Sequence, residues 1–145
     1  MSAVDIVMDR LPIEEGTRML PYDDATGLPV RAPKGNLTWG RGFNLMKCGS
    51  PALFDAMERC LLTALDTDLL DYPFYANAGD VRASVFLDIV YNGGEKGELL
   101  GYPHMIAAAS EDPPDWPRVA ANCTNKDPKL DASRYAPLRA LLLSG

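Results

Sequence analysis

The chain has 145 residues, 47% of them hydrophobic and 23% charged, and a formal net charge of −6. These are the proportions of one globular domain long enough to bury a core. No apolar run reaches the roughly 20 residues that a bilayer crossing requires, and no basic patch marks a nucleic-acid or membrane surface. The negative charge is local. Residues 1–50 carry six acidic and six basic side chains, residues 101–145 carry five of each, and residues 51–100 carry nine acidic against three basic.

Residues Met1 to Leu11 lack a basic leader and do not read as a secretory signal. Ser2 is placed to cap a first helix, with Asp5 three residues on in the capping-box arrangement. Val4, Val7, Met8 and Leu11 recur at helical spacing and face a core. Pro12 has no N–H to give the preceding turn, so this helix is expected to end or kink there. Glu15 then falls just past its C-terminus.

From Gly16 to Asn44 glycines alternate with Pro21, Pro29 and Pro33 between short apolar pieces, which predicts short strands in a small antiparallel sheet. Ser50-Pro51 opens a helix whose apolar stripe is read as Leu53, Phe54, Met57, Leu61 and Leu65. Tyr72-Pro73 closes it. Asp80 caps a central helix bearing Val81, Val85, Phe86, Ile89 and Val90, which stops at Gly93-Gly94. Shorter helices follow after Tyr102-Pro103, around Trp116 to Cys123, and from about Ser133 to Leu143. The expected fold class is α+β in a single domain, 1–145. A strand-rich lobe covers about 16–46, and a helical lobe covers about 50–145 together with the N-terminal helix.

Cys48, Cys60 and Cys123 have no metal-ligand spacing and His104 is the sole histidine, so no metal site built from Cys and His is expected. Buried free thiols are favoured over a Cys48–Cys60 disulfide. Phe86 and Trp116 read as core, and His104 as a surface residue.

Two carboxylates stand out: Glu15 at the expected helix-to-sheet junction and Asp24 in the turn-like Tyr22-Asp23-Asp24-Ala25-Thr26-Gly27. Cleaving a glycosidic bond takes one protonated carboxyl to donate to the leaving oxygen and one ionised carboxylate to activate water or bond the sugar. With twenty acidic residues in the chain, spacing alone leaves many such pairs open.

The stretch Glu15-Gly16-Thr17-Arg18-Met19-Leu20-Pro21-Tyr22-Asp23-Asp24, followed by Thr38-Trp39-Gly40-Arg41-Gly42, resembles the opening motif of the phage lysozymes of glycoside hydrolase family 24. Downstream, Gly94-Glu95-Lys96-Gly97-Glu98-Leu99-Leu100-Gly101-Tyr102 resembles that family's glycine-punctuated connection after its central helix, and Trp116 falls near a tryptophan of the next helix. The resemblance implies a lysozyme-like fold and a muramidase acting on peptidoglycan glycan strands, needing no cofactor or metal. It assigns Glu15 as general acid, with Asp24 and Thr38 holding the attacking water. Inversion would then place the two carboxyls about 6.5–9.5 Å apart.

Gly40, Phe43, Asn44, Asn92 and Arg134 are the candidates for substrate contact. Asn92 resembles a cleft-facing amide of the family, or is a helix cap; Arg134 resembles an arginine that pairs with the catalytic glutamate. Fourteen positions separate Asp24 from Thr38, more than the family pattern has. The extra Leu28–Leu37 segment, with Arg31 and Lys34, either reaches the glycan or is a solvated loop. Phe43-Asn44 stands where the family often has histidine. The implied setting is a monomer made in a host cytoplasm, or carried by a virion, and released to the wall by a separate holin-type protein. The rival readings are a lytic transglycosylase, which has no use for a water-holding pair, and a non-catalytic peptidoglycan-binding module.

Overall fold

The computed structural model of the chain describes residues 1–14, 38–39, 43–44, 51–93 and 99–145. Their architecture is helical. In chain order the helices are α1 (Ala3–Glu14), α2 (Pro51–Leu69), α3 (Pro73–Ala76), α4 (Asp80–Gly93), α5 (Pro103–Ala109), α6 (Trp116–Asn122), α7 (Pro128–Leu130) and α8 (Ala136–Ser144). A 3₁₀ turn at Leu99–Gly101 precedes α5, and a π-helical turn at Asp131–Tyr135 joins α7 to α8. The expected α+β class with an antiparallel sheet lobe is not what forms. Among the described residues, extended backbone amounts to Thr38–Trp39 against Phe43–Asn44, with Thr38 opposite Asn44 and Trp39 opposite Phe43. Two residues paired with two do not make a lobe, since even an isolated hairpin is marginal without a further strand or a packed face. The Gly/Pro texture was read as strand punctuation, but such residues specify turns without specifying what lies between them.

Helix α4 is the axis of the molecule. It packs against α1, α2, α3 and α8, while α5 packs on α6 and α6 on α8. Every residue from Ala83 to Val90 is buried, as expected of a helix enclosed on all sides rather than lying on a surface with one apolar stripe. Phe86 is fully buried and meets the ring of Phe74 edge-on at 5.2 Å between centroids. Ser84, the one buried hydroxyl of this helix, donates to the carbonyl of Val81 at 2.7 Å.

Local chemistry explains the helix boundaries. The Ser2–Asp5 capping box forms: the Ser2 amide and hydroxyl both donate to the Asp5 carboxylate, at 3.1 and 2.8 Å, and the Asp5 amide donates to the Ser2 hydroxyl at 3.2 Å. Val4, Val7 and Leu11 are buried against α4, as their spacing predicts. Pro12 neither ends α1 nor marks its limit; the helix runs on to Glu14 with Pro12 inside it. A proline one turn from a helix end forfeits a single bond to the carbonyl four residues back, and the packed face of α1 holds the last turn in place. In α2 the buried positions are Leu62 and Leu69, with Leu65 packed beside them, whereas Leu61 is half exposed. The Leu61-Leu62 pair offers two helical registers, and contact with α1 and α4 selects the second.

Between α3 and α4 the chain turns at Gly79, whose φ of +74° lies in the region that side chains with a Cβ disfavour. Arg82 then ties the start of α4 to both ends of the later chain. Its Nε donates to the carbonyl of Leu142 at 3.0 Å, and its guanidinium lies 4.4 Å from the centre of the Trp116 ring. Cys60 and Cys123 are free thiols. Cys60 is exposed, contrary to the expectation of buried thiols. Cys123 is buried, and that burial pushes its thiol up to about 12, which leaves it unreactive. His104 is exposed, as expected.

Candidate functional site

The described parts of the site converge on Asp88. Charged side chains are rarely buried unless paired, and an aspartate inside the apolar run Val85 to Val90 requires partners. Asp88 is 1% exposed. Arg10 from α1 reaches one of its oxygens at 3.4 Å, and Arg134 from the π-turn reaches the other at 3.2 Å. Asn92, one turn further along α4, directs its Nδ2 hydrogens to the Asp88 carbonyl at 2.9 Å and to the Asp88 carboxylate at 3.0 Å. Three chain segments, around residues 10, 88–92 and 134, are thereby fixed to one carboxylate. Two guanidiniums and one carboxylate sum to one positive charge.

Arg10 and Arg134 of that cluster also line an open cavity of about 700 Å³, together with Ile13 of α1, Leu130, and Pro137 and Leu141 of α8. Its volume lies within the roughly 300–1,000 Å³ of small-molecule sites. A second cavity, of about 180 Å³, shares Leu130 and Arg134 with the first and adds Ile89, Asn92, Asn125 and Tyr135. Ile13 is 85% exposed and Leu130 40% exposed, and both line the larger cavity.

The C-terminal wall is braced from behind. Arg139 of α8 grips Asp131 with two bonds, at 2.9 and 3.0 Å, and donates to the carbonyl of Cys123 at 3.0 Å. The Arg139 bonds are the main reason the Asp131 carboxyl lies below its ordinary value, and the amide of Asn125 contributes as well. The π-turn between them carries Arg134 and Tyr135, and the Tyr135 hydroxyl meets that of Tyr102 at 2.9 Å. A π-turn shifts the side chains that follow it off the α-helical register, which is one reason such turns recur at functional sites.

Of the residues singled out in the sequence, Asn92 and Arg134 are brought together, both on Asp88. Asn92 is an α4 residue bonded back to the preceding turn, and it also lines the smaller cavity. Arg134 is paired with Asp88 and lines both cavities. The backbones of Thr38, Phe43 and Asn44 lie in the two-residue pairing. Glu15, Asp24 and Gly40, with the Arg31 and Lys34 segment, fall outside the described residues.

Sequence reasoning missed Asp88, Arg10 and Asn125. Asp88 carried a usable signal, as an acid in an otherwise apolar helical run. Arg10 carried none, because a single arginine in an amphipathic helix looks like any surface charge. Among the described residues no group of three or more His, Cys, Asp and Glu side chains could hold a metal ion, and no helix is long and apolar enough to cross a membrane.

Comparison with family models, with curated proteins and with solved structures finds no match. The functional reading rests on the chain's own residues.

Proposed function

We propose that the protein is a peptidoglycan hydrolase of the muramidase type, cleaving the β-1,4 bond between N-acetylmuramic acid and N-acetylglucosamine. The observation that carries this reading is the convergence on Asp88. The final turn of α1, one peptide bond before Glu15, shares a ligand-sized cavity with Arg134, which Asp88 also ties to Asn92. Of these, Asn92 and Arg134 are the ones that the motif resemblance nominates around a catalytic glutamate, and both bond to Asp88.

In this reading Glu15 gives its proton to the glycosidic oxygen as the bond to the anomeric carbon breaks. A water held by Asp24 and Thr38 adds to that carbon from the opposite face and loses its proton to Asp24. Asp88 matters for the acid itself. The Asp88 carboxylate on Arg134 offsets the pull by which a lone guanidinium would hold a nearby acid ionised, and so favours the protonated form that a general acid needs.

The test is release of soluble glycan from purified peptidoglycan by the wild-type protein, Glu15→Gln and Asp24→Asn in parallel. The expected result is release by the wild type and a loss of at least about a hundredfold in each variant, the scale of a missing acid or base. Undiminished release by Glu15→Gln contradicts the assignment. Binding to the wall without release by any of the three favours a non-catalytic module.

A further inference from the structure

The π-turn between α7 and α8 aims side chains in directions that an α-helical turn at the same place would not. It spans Asp131–Tyr135, and the Ala136 amide closes it on the Asp131 carbonyl, five residues back. An α-helix bonds four residues back and advances about 100° per residue. One extra residue in the turn therefore rotates the side chains that follow it by about that angle. Arg134 and Tyr135 occupy its last two positions. Arg134 reaches the Asp88 carboxylate of α4 at 3.2 Å, and the Tyr135 hydroxyl meets that of Tyr102, just before α5, at 2.9 Å.

The turn is held from outside its own backbone. Asp131, its first residue, accepts from both terminal nitrogens of Arg139 at 2.9 and 3.0 Å and from the Asn125 amide at 2.9 Å. Arg139 also donates to the Cys123 carbonyl at 3.0 Å. Asp131 and Arg139 are eight residues apart. On a straight α-helix side chains meet three or four positions apart, and eight residues rise about 12 Å. The clasp thus ties the start of the π-turn to α8 beyond it, and both to the link between α6 and α7. Because π-turns are rare and α-helical bonds are the common alternative, a chain without the clasp has a way to relax, and that relaxation turns Arg134 away from Asp88.

Arg134 lines both cavities, so its direction decides where a positive charge stands in them. We propose that Asp131 and Arg139 are positioning residues of the site: their two-bond clasp holds the π-turn in the register that sets Arg134 on Asp88. Neither is among the described residues that line the two cavities; both act through Arg134. The rest of α8 does not depend on the clasp, because Leu138 and Leu142 anchor it in the core, both fully buried. The proposal stands on the geometry of this turn and rests on the hydrolytic reading only where activity is measured.

The test is a double-mutant cycle read by urea denaturation of the full chain. Asp88→Asn, Arg134→Met and the two together are made in the wild-type background and again in Arg139→Met. In the wild-type background the midpoint loss of the double variant is expected to fall short of the summed single losses by about 0.5 M urea or more, because the sum counts the broken pair twice. In Arg139→Met that shortfall is expected to vanish. A clasp that only stabilises α8 lowers every midpoint and leaves the shortfall in place, a result that overturns the proposal; additivity in the wild-type background overturns it too. Asp131→Asn, which keeps an oxygen for the Asn125 amide and gives up the charge, is carried through the same cycle as a milder break, so that a reading remains if Arg139→Met is too unstable to titrate. There the shortfall is expected to drop by half or more, and an undiminished one counts against the clasp. Release of soluble glycan from peptidoglycan supplies a second reading. Arg134→Met and Arg139→Met are each expected to lower it about ten- to a hundredfold, and the pair no further than Arg134→Met alone. No release by the wild-type protein, with the shortfall behaving as expected, would sink the hydrolase reading and leave the positioning role standing. Release by the wild type with an unchanged shortfall in Arg139→Met would do the reverse.

Discussion

Asp88 shows how one side chain sets the energetics of a site. Taking a carboxylate out of water costs several kcal/mol, which only close charged partners and hydrogen bonds offset. Asp88 has two arginines and an asparagine on it. Asp88→Ala is therefore expected to destabilise by about 3–5 kcal/mol, since it removes the charge that both guanidiniums hold. Arg10→Met is expected to cost less, about 1–3 kcal/mol, because Arg134 continues to hold the carboxylate. Urea denaturation resolves the two as midpoint shifts at an unchanged slope, and equal losses would show that the arginines do not share one partner. Asp5 carries the clearest pH dependence. The Arg59 hydrogen bond, and after it those from Ser2, hold its carboxyl down to about 2 from an ordinary 3.8. A depressed folded value means that the contribution is present above 3.8 and is lost as pH falls toward about 2. Asp5→Asn is expected to flatten the stability–pH curve within that window and leave its shape near neutrality alone. An unchanged acid limb would contradict the assignment.

The helices show which sequence signals survive folding. Caps and proline starts were legible because they act locally. The Ser2–Asp5 box forms, Pro51 opens α2, and α5 begins with Pro103 after Tyr102. α6 starts at Trp116, where Asp115 accepts from the amide of Arg118 at 3.0 Å. Asp115→Ala is expected to cost about 1 kcal/mol and Asp115→Asn much less, since asparagine caps nearly as well; thermal unfolding separates them, and equal losses would assign the effect instead to the ion pair that Asp115 makes with the Arg118 guanidinium at 3.9 Å. Registers and interruptions were less legible. The apolar face of α2 depended on partners far away in sequence, and Pro12 was tolerated because α1 ends within a turn of it. The last helix was read as starting at about Ser133, but helical structure begins at Pro128 and passes through a π-turn before α8. That turn depends on the grip of Arg139 on Asp131 across eight residues, which no local propensity encodes.

Over the whole molecule, the helical organisation around α4 was legible in the positions of Val85, Phe86, Ile89 and Val90, all of them buried. The sheet lobe was a misreading. Glycine and proline mark where a chain turns, and the alternation that makes a strand was never strong between them. The site was legible in part. Asn92 and Arg134 were singled out, but the aspartate that unites them lies at a distance of 46 residues from Arg134 and is recognisable only once α1, α4 and the π-turn are assembled. The acidic balance of the chain bears on the proposed peptidoglycan reading, because a charge of −6 offers no net attraction to an anionic wall. A tenfold rise in ionic strength, which shortens the screening length from about 10 Å to about 3 Å, is expected to leave lytic activity within about twofold. Abolition of activity would show that binding depends on a local basic surface. The most direct test of the central claim is mass spectrometry of the muropeptides released from purified peptidoglycan by the wild-type protein and by Glu15→Gln. Reducing N-acetylmuramic acid ends from the wild type alone are the predicted result. Anhydro ends, or the same products from Glu15→Gln, would contradict hydrolysis by water with Glu15 as the acid.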